Sequence, residues 1–139
     1  MKFIKIVTNH TKEEIDAIFS KFSSIDKQLM EDFYSTFKHN NFIDSNDSIS
    51  MYAVIDSSGV DKLLKVYTDN SISFTYTDLT KQVLYGQVKS TGFIFDSFIN
   101  DFINDFIDKN ITVDIILEKI TELGKDSLNE KDLSILKSF

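Results

Sequence analysis

Residues 49–88, "ISMYAVIDSSGVDKLLKVYTDNSISFTYTDLTKQVLYGQV", carry most of the strand signals of the chain. Apolar and polar residues alternate in "ISMYAVID" and again in "ISFTYT". In the second run Ile72, Phe74 and Tyr76 share one face, with Ser73, Thr75 and Thr77 on the other. A period of two marks a half-buried strand. "SSG" at 57–59, "DNS" at 69–71 and "DLTK" at 78–81 read as turns. "DKLLKVYT" and "QVLYGQV" then read as two more strands, and the whole stretch predicts an antiparallel meander.

On the N-terminal side, "KFIKIVT" (2–8) predicts a short strand and "TKEEIDAIFSKF" a helix. Thr11 and Glu14 have capping-box spacing, in which each side chain satisfies an orphan backbone donor. Ile15, Ile18, Phe19 and Phe22 follow at i, i+3, i+4, i+7. A second helix starts near Ser24 and carries Leu29, Met30, Phe33, Tyr34 and Phe37 on one side, with Asn40 or Asn41 as its expected left-handed terminator. "DSNDS" (44–48) reads as a loop.

After "KSTG" (89–92) the chain reads as helical to its last residue. "FDSFINDFINDFIDKN" (95–110) is the first of three helices. "NITVDIILEKITELG" places Val113, Ile116, Leu117, Ile120 and Leu123 on one face and Gly124 at its end. Ser127 and Glu130 form a second expected capping box, opening a helix with Leu133, Leu136 and Phe139. Strands and helices are segregated, which predicts an α+β fold: an antiparallel meander of four to five strands, two N-terminal helices and three C-terminal helices. A single domain over 1–139 is expected, with the sheet in 1–91 and a helical part, 92–139, packing on it.

Composition narrows the chemistry. The 139 residues include 13 Phe and 5 Tyr, ample apolar area for a core, and no Cys, so there is no disulfide framework or thiol nucleophile. All 15 basic residues are Lys, and the net charge is -7. Arg is the preferred bidentate reader of phosphate and guanine, so both facts oppose direct nucleic-acid binding. The apolar run in "MKFIKIVTNH" is broken by Lys5, and no run reaches the roughly 18 apolar residues of a membrane span. A cytoplasmic protein, not a membrane protein, is the expectation.

Motifs that would carry catalysis or cofactors are lacking. Gly59, Gly86, Gly92 and Gly124 have neither P-loop nor Gly-x-Gly spacing. His10 and His39 are the two histidines, too few for zinc without cysteine. A calcium loop begun at Asp44 would need Gly and Glu where Ile49 and Ile55 stand. No cofactor, metal site or catalytic residue is expected. Tyr52, Tyr67, Tyr76 and Tyr85 could line a ligand pocket between sheet and helices.

On a helical projection of 95–110, Asp101, Asp105 and Asp108 fall within about 60° of one another, forming an acidic ridge. Phe95, Phe98, Phe102 and Phe106 form one apolar row, and Ile99, Ile103 and Ile107 a second. Together the two rows cover about half the cylinder, more than an ordinary surface helix shows. Either both rows are covered within the chain, or one is an interface. The candidate partner-binding set is Asp96, Asp101, Asp105, Asp108, Phe98, Phe102 and Phe106.

Residues 113–139 resemble a two-helix C-terminal tail of unknown function found in some bacterial proteins, certain rhomboid-type membrane proteins among them. The resemblance rests on Val113-Asp114, Ile116-Leu117-x-Lys119-Ile120, Gly124, Ser127-Leu128, Glu130 and Leu133; Lys131-Asp132 departs from the usual pattern. It implies a helix–cap–helix unit and no activity.

The function these features imply is a small acidic interaction module. It would act as an inhibitor, immunity or adaptor protein by occupying a basic surface of another protein, a nuclease or defence-system inhibitor being one version. The alternatives are a small enzyme or ligand binder, and a homodimeric assembly subunit.

Overall fold

The computed structural model describes residues 1–36, 40–45, 48–87 and 96–138, with side chains described outside 33–47 and 88–99. The fold is α+β with an antiparallel sheet. In chain order the elements are β1 (Lys2–Thr8), α1 (Lys12–Ser20), α2 (Ser24–Thr36), β2 (Asn40–Ser45), β3 (Ser48–Ile55), α3 (Ser57–Asp69), β4 (Phe74–Asp78), α4 (Thr80–Leu84), α5 (Asp96–Asn110), α6 (Val113–Leu123), a 3-10 turn (Lys125–Ser127) and α7 (Glu130–Ser138). The chain divides into two compact units, Met1–Leu79 and Thr80–Phe139, a boundary ahead of the expected division at 91/92.

The first unit holds the sheet, in the order β2-β3-β1-β4. β1 lies between β3 and β4, with Ile4 opposite Ala53 and Asp78, and Ile6 opposite Met51 and Tyr76. β2 pairs with β3 from Asn40 opposite Ala53 to Ser45 opposite Ser48. One sheet face presents Ile4, Ile6, Ile49, Met51, Ala53 and Ile55 to a core completed by Ile15 and Phe22, Met30 of α2, and Val60, Leu63, Val66 and Tyr67 of α3. Tyr67 meets Phe74 edge-on, with ring centroids 5.6 Å apart. The opposite face carries Phe3, fully buried, and Tyr52, over whose ring the Lys5 ammonium lies at 5.6 Å.

The meander is replaced, because two of its expected strands are helices. Residues 57–69 form α3, not a turn and a strand. Asp56 is the N-cap and its Oδ1 accepts from the Gly59 N–H at 2.7 Å, so "SSG" is a first helical turn. Val60, Leu63, Leu64 and Tyr67 then recur at helical spacing. The helix ends in a Schellman arrangement: the Ile72 N–H reaches the Tyr67 carbonyl, the Ser71 N–H reaches the Thr68 carbonyl, and Ser71 adopts φ 57°.

Residues 80–84 form the short helix α4 instead of the expected strand over "QVLYGQV". It stops the same way, with the Gln87 N–H on the Gln82 carbonyl, the Gly86 N–H on the Val83 carbonyl and Gly86 at φ 72°. Two further corrections concern 40–48. Asn40 and Asn41 open strand β2 and do not terminate a helix, and the expected loop at 44–48 supplies the end of β2 and the start of β3. A register fixed by neighbouring β3 overrides local turn preference there. Phe37 and His39 lie outside the described residues.

The capping box of α1 is present as expected, with Thr11 Oγ1 accepting from the Glu14 N–H and Glu14 Oε1 from the Thr11 N–H. Among the described residues, no helix is long and apolar enough to cross a membrane.

Candidate functional site: the helical unit

In the second unit, α5 spans the "FINDFIND" repeat. Phe102 and Phe106 are 4% and 2% exposed; Ile103 is buried and Ile107 half-buried. Phe102 and Phe106, the described part of the Phe row, are therefore covered, and Ile103 and Ile107 of the second row are covered fully and in part. Of the expected acidic ridge, Asp101 is exposed, Asp105 pairs with Lys109 at 2.9 Å, and Asp108 pairs with Lys131 of α7. Two of the three ridge carboxylates are thus matched by lysines. The side chains of Asp96 and Phe98 lie outside the described residues, as do those of Phe95 and Ile99.

Thr112 caps α6, its Oγ1 accepting from the Ile115 N–H at 3.3 Å, and Gly124 ends it at φ 86°. Of the apolar face expected on α6, Ile116 is fully buried, but Leu117 and Leu123 are 49% and 45% exposed. Lys119 turns inward instead. Its ammonium lies 2.7 Å from Asp132 Oδ2 on α7, and each side chain is 2% exposed. The same carboxylate oxygen accepts from the Asn129 N–H at 3.1 Å, and Asn129 Oδ1 accepts from the Asp132 N–H at 2.9 Å. This reciprocal cap starts α7 two residues later than the expected Ser127–Glu130 box. Asp132 wins because it satisfies a backbone donor and a buried cation together.

The solvent side of α6 was missed in the sequence. Asp114, Glu118 and Glu122 stand at i, i+4, i+8, and with Leu117 and Thr121 they line a shallow hollow. Four-residue spacing puts all three acids on one helix face, a signal that "VDIILEKITEL" carries beside its apolar residues. Glu122 is tied to Lys81 of α4 at 2.7 Å, and that hydrogen bond holds the Lys81 ammonium above its ordinary range. Lys81 also sits over the Tyr85 ring, 5.4 Å from its centroid. The Tyr85 hydroxyl is buried and makes no well-formed hydrogen bond among the described residues; burial and then the charge of Glu122, with a weak contact to that carboxylate, push its phenol up.

A separate cleft of about 500 Å³ is lined by Gly86, Asn100, Asn104, Ile107, Asn129 and Lys131, among others. Of the four tyrosines expected around a pocket, the three of the first unit do not share one face. Tyr67 is in the sheet's core and Tyr76 packs against that core, Tyr52 is on the other sheet face, and Tyr85 belongs to the second unit. No group of three or more His, Cys, Asp or Glu among the described residues is placed to hold a metal ion. Comparison with protein-family models, with curated proteins and with solved structures finds no match to this chain.

Proposed function

We propose that the chain is a protein–protein interaction module that occupies a basic surface of another protein, as an inhibitor, immunity or adaptor protein does. A nuclease or defence-system inhibitor is the narrower form of this reading. The observation that carries it is the exposed face of α6, where Asp114, Glu118 and Glu122 flank Leu117, 49% exposed. Acids on such a face speed encounter with a lysine- or arginine-rich surface, and a half-exposed leucine supplies apolar area to bury once docked. The net charge of -7 acts in the same direction at long range. The α5 aspartates contribute less, since Asp105 and Asp108 are already paired with lysines.

The test is capture of partners from a host lysate by tagged wild-type chain and by the variant Asp114→Asn/Glu118→Gln/Leu117→Ala. These three changes leave the Lys81–Glu122 pair intact. A protein retained by the wild type at low salt, lost at high salt and lost by the variant is the expected result. Equal capture by both removes α6 from the interface.

The Asn-lined cleft supports a second reading, a small polar ligand held by Asn100, Asn104 and Asn129. Chemical-shift changes confined to these carboxamides in a small-molecule screen would favour it over the first. Light scattering at rising concentration tests the homodimer, which predicts twice the monomer mass.

A further inference from the structure

His10, between β1 and α1, accepts a backbone hydrogen bond from the turn between α3 and β4. Its Nε2 lies 2.9 Å from the Ser73 backbone nitrogen, and its Nδ1 lies 3.3 Å from Glu14 Oε2. The Ser73 N–H can only donate, so Nε2 must be the lone-pair nitrogen, and the proton sits on Nδ1, facing the Glu14 carboxylate. The ring is thus neutral in this arrangement and only 17% exposed.

Protonation would add a hydrogen at Nε2 and set donor against donor across the Ser73 contact. The Nδ1–H to Glu14 contact is kept, since a carboxylate accepts from either form. We infer that His10 is a pH-sensitive latch: neutral, it holds the α3–β4 turn to the β1–α1 junction; protonated, it releases Ser73 and turns to Glu14 alone.

The other groups around the ring make the response specific. From α1 the charged neighbour is Glu14, whose carboxyl is held below its ordinary range first by His10 and then by Thr11. The strand-end Asn9 ties to Ser73 through uncharged groups, backbone N–H to carbonyl at 2.9 Å and Nδ2 to Oγ at 3.3 Å. Asp26 of α2 holds the turn at Asn70 Nδ2, 3.0 Å away, and α3 adds the Lys65–Asp69 pair. Of these side chains, only imidazole ordinarily changes charge between about pH 5 and 8. The turn also contains Ser71 at φ 57°, a conformation that costs a non-glycine residue energy and that the surrounding hydrogen bonds must hold in place.

The experiment is amide hydrogen exchange on the full chain, with rates corrected for the intrinsic pH dependence of exchange and the β1–β3 ladder as reference. Ser73 protection is expected to fall about tenfold between about pH 8 and about pH 5 in the wild type, and to stay level in His10→Gln, which keeps an acceptor but cannot titrate. Level protection in the wild type overturns the latch. So does an equal fall in His10→Gln, because that variant retains His39 and every carboxylate.

Discussion

Lys119 on α6 and Asp132 on α7, thirteen residues apart, meet at 2.7 Å with almost no solvent on either side chain. The pair sits beside the cap that starts α7, so one carboxylate both caps the second helix and ties it to the first. Removing one charge strands the other in a dry site. Lys119→Met is expected to cost about 3–5 kcal/mol, read as a lower urea midpoint at unchanged slope. Lys119→Met/Asp132→Asn should recover a large part of that loss, since no bare charge remains. A double variant as unstable as the sum of the two singles would show that the pair is not coupled.

Gly59 is fixed by crowding rather than by its backbone angle. A Cβ there would lie 2.7 Å from Cγ1 and 2.9 Å from Cδ1 of Ile55, itself fully buried. Gly59→Ala would ordinarily gain about 1 kcal/mol of helix propensity. Overpacking against Ile55 outweighs that gain, for a net loss of about 1–2 kcal/mol. Gly59→Ala/Ile55→Val removes the Cδ1 contact and keeps a carbon at Cγ1, so a partial recovery of the loss, measured in the same urea series, would confirm the cause.

Ser71 offers the opposite sign. It occupies a left-handed terminator position, φ 57°, that glycine fills at no steric cost. Ser71→Gly is expected to stabilise the fold by about 0.5–1 kcal/mol, although glycine gains more freedom in the unfolded chain. Thermal unfolding gives the sign directly, and a lower Tm than wild type would refute it.

The buried Tyr85 hydroxyl makes no well-formed hydrogen bond among the described residues, with at most a weak contact to the Glu122 carboxylate. Tyr85→Phe deletes that atom without opening a cavity, and a gain of about 1 kcal/mol is expected. The pH profile gives a second readout. Burial raises the phenol pKa in the folded chain, so its contribution is fully present below the unfolded value, about 10, and is lost as pH climbs through the folded value. Stability above about pH 10 should therefore fall less steeply in Tyr85→Phe than in wild type. Tyr76, raised chiefly by burial and next by Asp78, keeps its own share of the slope in both proteins.

Much of the fold was legible where one period ran long enough to be read. The alternation of Ile72, Phe74 and Tyr76 identified β4, and the Thr11–Glu14 box with Ile15 and Phe22 identified α1. "DKLLKVYT" misled because eight residues carry barely two helical turns, and "SSG" serves equally as a turn or as the first turn of a helix. Asp56, three residues before Gly59, was the discriminating cue. In "QVLYGQV" the cue was Gly86, a helix terminator rather than a strand interior glycine. β2 carries no pattern of its own and is visible only once β3 is beside it. The candidate site was read less well. Lysine in an amphipathic run normally marks the solvent face, and only the fold brings Asp132 to Lys119. The acids at 114, 118 and 122 share one face of α6 by their four-residue spacing, a pattern the sequence itself carries.

The order β2-β3-β1-β4 places the earliest strand of the chain at the centre of its sheet. Ile4 must find Ala53 on one side and Asp78 on the other before its backbone is paired along both edges. During synthesis β1 therefore waits with both edges open until the ribosome has delivered β3, and with one edge open until it has delivered β4. Closing such long loops first makes sheet assembly slow relative to the helices. A chaperone that shields "KFIKIVT" in that interval would act on the segment whose premature pairing with a neighbouring chain does the most harm.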